Sequence, residues 1–229
     1  MGKNNADIRK SAFLISLLLI ILVLMCGCTT TPSTPSPGAK TVLYSDNLSQ
    51  WQDEWNPEYD GPTGKIFYSG GSLHIRDTNP PEWTLLHTFN KNFNDFILDV
   101  DATLINGTTE AVYGVNVRAP DSYNYYGFSI SGNGGYSIRK QEFGNLIIGR
   151  IIYFVHPTRS SFIETGIGAT NHIHIEAKDN TLSLSVNGHP LSTVTDSKFR
   201  EGNVGFTVCS VQPNSFAEVA FSNLTITTL

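Results

Sequence analysis

The chain has 229 residues, a formal net charge of -5, 40% hydrophobic and 11% aromatic residues, and only 15% charged residues. The apolar content argues against a disordered polymer. The acidic balance, with no basic run after the N-terminus, argues against a nucleic-acid partner.

Lys3, Arg9 and Lys10 form a positive start, followed by an uncharged apolar run from Ala12 to Met25. That run is shorter than the roughly 20 residues a spanning helix needs and has the length of a secretory h-region. It ends in Met25-Cys26-Gly27-Cys28. This ending resembles the lipobox of prokaryotic lipoproteins, in which a small residue precedes a cysteine that is lipidated and becomes the new N-terminus. Gly27 is the small residue and Cys28 the lipidation candidate, although Met25 and Cys26 depart from the usual residues there. The resemblance implies a signal peptide over 1–28 and a membrane-lipid partner through Cys28, on the extracytoplasmic face. An uncleaved signal anchor is the alternative.

Residues 29–40 are rich in Thr, Pro and Ser and cannot bury a core, so they read as a flexible, semi-extended linker. Of the three cysteines, two lie at the cleavage region. Cys209 stands alone in the mature domain and reads as a small buried or half-buried residue.

From Thr41 to Leu229 the period is two, not 3.6, which predicts strands. Leu98, Val100, Ala102 and Leu104 face one way, while Asp99, Asp101 and Thr103 face the other. Tyr113, Val115 and Val117 point inward, leaving Asn116 and Arg118 outward; Tyr126, Phe128 and Ile130 form the next inward set. The stretches 172–177 and 181–186 are joined through Lys178-Asp179-Asn180, and Asn187-Gly188 marks a further hairpin. Val204, Phe206 and Val208 follow. The offset between Phe221 and Leu224 predicts a bulge in the last strand. Turn signals at Asn79-Pro80-Pro81, Gly132-Asn133-Gly134-Gly135 and Glu201-Gly202-Asn203 separate the runs. Roughly a dozen such strands imply an all-β, two-sheet antiparallel jelly-roll sandwich over residues 41–229.

The series Tyr113-Gly114-Val115-Asn116-Val117-Arg118, Asn124-Tyr125-Tyr126-Gly127-Phe128-Ser129-Ile130 and Gly135-Tyr136-Ser137-Ile138, then Ile173-His174-Ile175-Glu176, Val186-Asn187-Gly188 and Gly202-Asn203-Val204-Gly205-Phe206, resembles the concanavalin A-like lectin/glucanase superfamily. It looks closest to its laminin G-like and 3-keto-disaccharide hydrolase-type jelly rolls. The resemblance implies a sandwich with a concave face that often meets carbohydrate; it transfers no catalytic residue.

The superfamily's Glu-x-Asp-x-x-Glu run is absent from this sequence. Asp99, Asp101, Asn116, Arg118 and Tyr125 are expected on one polar sheet face as ligand-binding candidates, with the planar fork of Arg118 gripping a sugar. A solvated sheet face is the plainer account of the same pattern. His172, His174 and Glu176 share one side of a strand, but no further ligand is placed, so no metal site and no cofactor is assigned. Trp51, Trp55, Tyr59 and Trp83 could stack on sugar rings at a rim or pack inside. Asn47, Asn106 and Asn223 lie in glycosylation sequons.

Two function classes follow: a non-catalytic module binding a glycan or other extracellular polymer, or a glycoside-processing hydrolase drawing on Asp99 and Asp101. A structural envelope protein is a third. The pattern does not speak to oligomeric state.

Mass spectrometry of the native protein should find lipid on Cys28 and nothing upstream, and Cys28→Ser should leave an unprocessed precursor. A mature chain that still begins at Met1 would refute the lipoprotein reading.

Overall fold

Alternating apolar residues bury one side of a strand and leave the other polar, so strands of this kind must pair into sheets that share a core. The computed structural model describes residues 40–78, 85–143 and 149–229. The signal segment, Cys28, nearly all of the linker, Trp83 and the turn at Asn79-Pro80-Pro81 lie outside the described residues. Among the described residues there is no helix, and Lys40–Leu229 forms one compact unit.

The described residues form fifteen strands: β1 (Val42–Asp46), β2 (Tyr59–Gly61), β3 (Gly64–Ser69), β4 (Ser72–Asp77), β5 (Leu85–Phe93), β6 (Phe96–Gly107), β7 (Val112–Asp121), β8 (Asn124–Ser131), β9 (Gly135–Phe143), β10 (Gly149–Arg159), β11 (Thr170–Lys178), β12 (Thr181–Val186), β13 (His189–Thr195), β14 (Gly202–Cys209) and β15 (Ala217–Thr227). They form two antiparallel sheets. The nine-stranded sheet runs β13-β12-β11-β6-β15-β4-β3-β2, with β1 pairing the second half of β15. The six-stranded sheet runs β10-β9-β8-β7-β14-β5.

Leu98, Val100, Ala102 and Leu104 of β6 meet Tyr113, Val115 and Val117 of β7 and Tyr126, Phe128 and Ile130 of β8 in a single buried cluster. Ile173, Ile175, Leu182, Leu184, Phe206, Val219, Phe221, Leu224 and Ile226 complete it. The expected inward sets are therefore those of the core. The predicted bulge is real: the β15–β6 register shifts between Ser222 and Thr225, with Asn223 in the left-handed region at φ 57°.

Both predicted hairpins close with two-residue turns, Lys178 pairing Thr181 and Val186 pairing His189. Asn187 and Gly188 have φ of 52° and 79°. That is the mirror-image turn whose twist matches the flanking strands, and Asn-Gly adopts it at least cost.

The aromatic end of the core holds an unusual member. Trp55 stacks on His87, with ring centroids 5.1 Å apart, and on Phe206, the cross-strand neighbour of His87, at 5.3 Å. Its indole Nε1 donates to Asp46 at 3.1 Å. Trp55 is thus a core residue, not a rim platform. His87 is fully buried, its Nδ1 has no hydrogen-bond partner, and burial pulls its pKa down from 6.5 to about 4. The folded state therefore binds this proton less readily than the unfolded chain does. No penalty exists above pH 6.5; it grows as pH falls and is complete near pH 4, at about 3 kcal/mol. Denaturant titrations at pH 7 and pH 4.5 should show the wild-type chain losing more stability on acidification than His87→Phe. Equal losses would show that His87 does not carry the acid sensitivity.

Candidate functional site

In β7, β8, β9 and β14 the residues between the core positions point away from the core, and the strand register sets them in rows. One row runs Thr88, Gly205, Asn116, Gly127, Arg139, Tyr153 across all six strands. The neighbouring row is Thr207, Gly114, Ser129, Ser137. On the other side Tyr125, Gln141 and Ile151 are aligned. Three strand gaps separate β14 from β9, about 14 Å at the usual spacing, which is the length of a short oligomer.

This outward face is recessed. Glycines, serines and threonine give it a low floor, with the longer Tyr125, Gln141 and Arg139 beside it. Asn116 is 2% exposed, and Ser129 and Thr207 1% each, although none of them points into the core. A Cβ placed on Gly127 would stand 3.2 Å from both Asn116 Oδ1 and Arg139 Nε, so the glycine lets these two side chains close in over its strand.

Buried polar atoms are normally hydrogen-bonded. Among the described residues, four of the eight buried side-chain polar atoms without a partner gather here: Asn116 Oδ1, Ser129 Oγ, Thr207 Oγ1 and Arg139 Nε. Tyr125 donates to Gln141 Oε1 at 2.7 Å, and burial raises its phenol pKa, with Arg139 opposing the shift. At the Ser131–Gly135 end a cavity of about 270 Å³ opens between Glu110, Asn133, Pro157 and Arg159.

The edges of the face carry aromatic and apolar side chains. Tyr123 and Phe143 lie 5.2 Å apart and are exposed, as are Ile151 and Tyr153 on the β10 edge. At the β5 edge, Asn56 binds Thr88, and the exposed Trp51 donates its Nε1 to the carbonyls of Trp55 and Asn56. Tyr59 instead packs half-buried against the core, its hydroxyl 2.8 Å from Thr63 Oγ1.

The five expected ligand residues do not share a face. Asn116 and Tyr125 are on the recessed one. Arg118 is on the same strand as Asn116 but is fully buried, and its φ of 47° falls where the β7–β8 register shifts. The bulge breaks the alternation and sends the guanidinium to the end of the sandwich. There Nε donates to the Asn94 carbonyl at 3.0 Å, Nη1 to the Asp179 carbonyl at 2.8 Å and Nη2 to Asp95 at 3.0 Å. It clamps the β5–β6 turn, which crosses between the sheets, to the β11–β12 turn, and its fork has no surface left for a sugar.

Asp99 and Asp101 lie on the outer face of the other sheet. Directly across the strand pair stand His174 and His172. His172 Nδ1 is 2.8 Å from Asp101 and its Nε2 3.1 Å from Asp99; His174 Nδ1 is 2.7 Å from Asp99, and Asn223 donates to Asp101 at 2.8 Å. Burial alone would raise the Asp99 pKa, but His174 and His172 outweigh it and hold the carboxyl below its usual range. Burial would likewise lower His172, and Asp101 and Asp99 reverse that. Among the described residues no group of His, Cys, Asp and Glu has the arrangement of a metal site.

The residues that sequence reasoning missed are Gly127, Ser129, Arg139 and Thr207, and all but Arg139 carried one signal. Small residues alternate with large apolar ones in 126–131 and 204–208, as expected of strands with one packed side and one deliberately low side.

Two face-packed antiparallel sheets with this order make the domain a concanavalin A-like jelly roll. A family model described as the 3-keto-alpha-glucoside-1,2-lyase-like domain matches residues 38–227, and the chain belongs to that family. Solved structures with the same fold include the carbohydrate-binding module CBM66 of Bacillus subtilis, at a TM-score of 0.58 and 16% identity, covering 76% of this chain and 94% of that one. A glycoside hydrolase family 16 endo-glucanase of Bacteroides ovatus has a TM-score of 0.58 at 8% identity, covering 81% and 100%. The β-glucanase of Bacillus licheniformis has 0.56 at 10%, covering 85% and 100%. Comparison with curated proteins gives no match.

Arg118→Ala removes three bonds from a cation and should lower stability by about 3 kcal/mol or more. Arg118→Lys should not restore it, because one ammonium cannot span the three partners. A denaturation midpoint unchanged in Arg118→Ala would refute the clamp.

Proposed function

We propose that this domain binds a glycan on the recessed face of the six-stranded sheet, held outside the cell by lipid on Cys28. The observation that carries the reading is the gathering of Asn116 Oδ1, Ser129 Oγ, Thr207 Oγ1 and Arg139 Nε, buried and unpartnered, on one outward face. A sugar offers hydroxyls that donate and accept at once, which is what such a floor lacks. Exposed rings at the edges add surfaces on which a pyranose can stack. The fold neighbours named for carbohydrate binding or glucan cleavage are consistent with this class of ligand. Anchoring rests on the short h-region and Gly27-Cys28.

Binding without catalysis is favoured by the floor's chemistry. Glycoside hydrolysis ordinarily needs two carboxylates across the scissile bond. Among the described residues, the outward positions of β7, β8, β9 and β14 named above carry none, Glu110 lying beyond them at the cavity. The second reading is glycoside cleavage, favoured by the family's description and by the His172–Asp101 and His174–Asp99 pairs. It requires Asp99→Asn to abolish hydrolysis of a glycan while the fold survives.

Thr207→Val separates function from packing. Removing an unsatisfied buried hydroxyl should leave the free protein as stable or about 1 kcal/mol more stable, yet weaken glycan binding. Gly127→Leu, which would push Asn116 and Arg139 out of place and raise the floor, should lower affinity at least tenfold. The measurement is a glycan array followed by calorimetry on the full chain in detergent. Binding untouched by both substitutions would refute the site.

A further inference from the structure

Among the described residues, Arg139 differs from the other lysines and arginines that are buried or half-buried. Arg118 has Asp95, Lys140 has Asp196 at 2.7 Å and Glu142 at 2.9 Å, and Lys65 has Asp60 at 2.9 Å. Arg139 is half-buried between Gly127 and Tyr153, and among the described residues it makes no ion pair. Its row contributes Thr88, Gly205, Asn116, Gly127 and Tyr153, and the rows on either side contribute Ser129, Ser137, Tyr125 and Gln141. All are neutral. Glu142, three residues along the same strand, is bound to Lys140 on the core-facing side.

A half-buried cation on a face without a counter-charge gains most from a ligand that supplies one. Beside it, Asn116 Oδ1 is an acceptor awaiting a donor. This atom and Arg139 Nε both stand 3.2 Å from where a Cβ of Gly127 would be, so the missing side chain brings them to one patch of the floor. A planar anion that accepts, next to a hydroxyl that donates, satisfies both. A hexuronic acid has that arrangement, its carboxylate standing beside a ring hydroxyl, and the guanidinium edge matches a carboxylate with two parallel hydrogen bonds.

We propose that the sugar seated over Gly127 is a uronic acid, its carboxylate received by Arg139 and the adjacent hydroxyl by Asn116. The proposal rests on the glycan-binding reading above and adds the charge class of the ligand.

The test uses the full chain in detergent and linear galacturonate, glucuronate and mannuronate–guluronate oligosaccharides, each paired with its carboxyl-reduced neutral counterpart. Calorimetry should find an acidic oligomer bound at least tenfold more tightly than its reduced partner, with affinity falling as salt rises. Arg139→Gln, which keeps the reach and loses the charge, should erase that preference at an unchanged melting temperature. If Arg139→Gln melts early, the wild-type salt dependence decides instead: a flat profile overturns the proposal. Equal binding of acidic and reduced forms, or binding of no acidic member, also overturns it. If Gly127→Leu still blocks a neutral sugar, only the charge class has failed and the recessed site stands. If Gly127→Leu blocks nothing, the site itself has failed.

Discussion

Two sheets share one apolar core, and each strand crossing that core must turn every second residue away from it. This constraint of pleated backbone makes the second faces as well as the first. The core needs Tyr126, Phe128 and Ile130 on one side of β8; the other side is then free to carry Tyr125, Gly127 and Ser129. The site is the remainder left by packing, and its shape follows from which residues fill those alternate positions.

The two outward faces have been filled in opposite ways. On the nine-stranded sheet the polar side chains answer one another: Asp99 and Asp101 take His172, His174 and Asn223, and Glu218 takes His74 and Arg76. Their charges and hydrogen-bonding groups are matched within the protein. On the six-stranded sheet the side chains are short and several are left without a partner. A protein that buries unsatisfied groups gives up stability at that place, and strain of this sort is tolerated where a ligand relieves it.

The clamp at Arg118 shows how a single backbone departure redirects chemistry. Regular alternation would have placed its guanidinium on the recessed face near Asn116. The bulge between Val117 and Asp121 rotates it instead to the end of the sandwich, where it ties the turn between the sheets to a neighbouring hairpin. The nearest cation left on the recessed face is Arg139, which no regularity of the 113–118 stretch foretold.

The sequence by itself determined the inward sets of β6, β7, β8, β11, β12, β14 and β15, the Asp179-Asn180 and Asn187-Gly188 hairpins and the bulge near Asn223. All of these are consequences of local period and turn chemistry. Its resemblance to the concanavalin A-like superfamily pointed to the same two-sheet fold. What only the tertiary structure decided is which strands share a sheet. Alternation fixes the side of a strand on which a residue sits, but it is blind to strand order, so Asp99 and Asp101 could not be separated from Asn116 and Tyr125 by pattern alone. The same blindness hid the row of Gly205, Asn116, Gly127 and Arg139. Those four residues come from four strands, and they become neighbours only through hydrogen-bonded register between segments far apart in the chain.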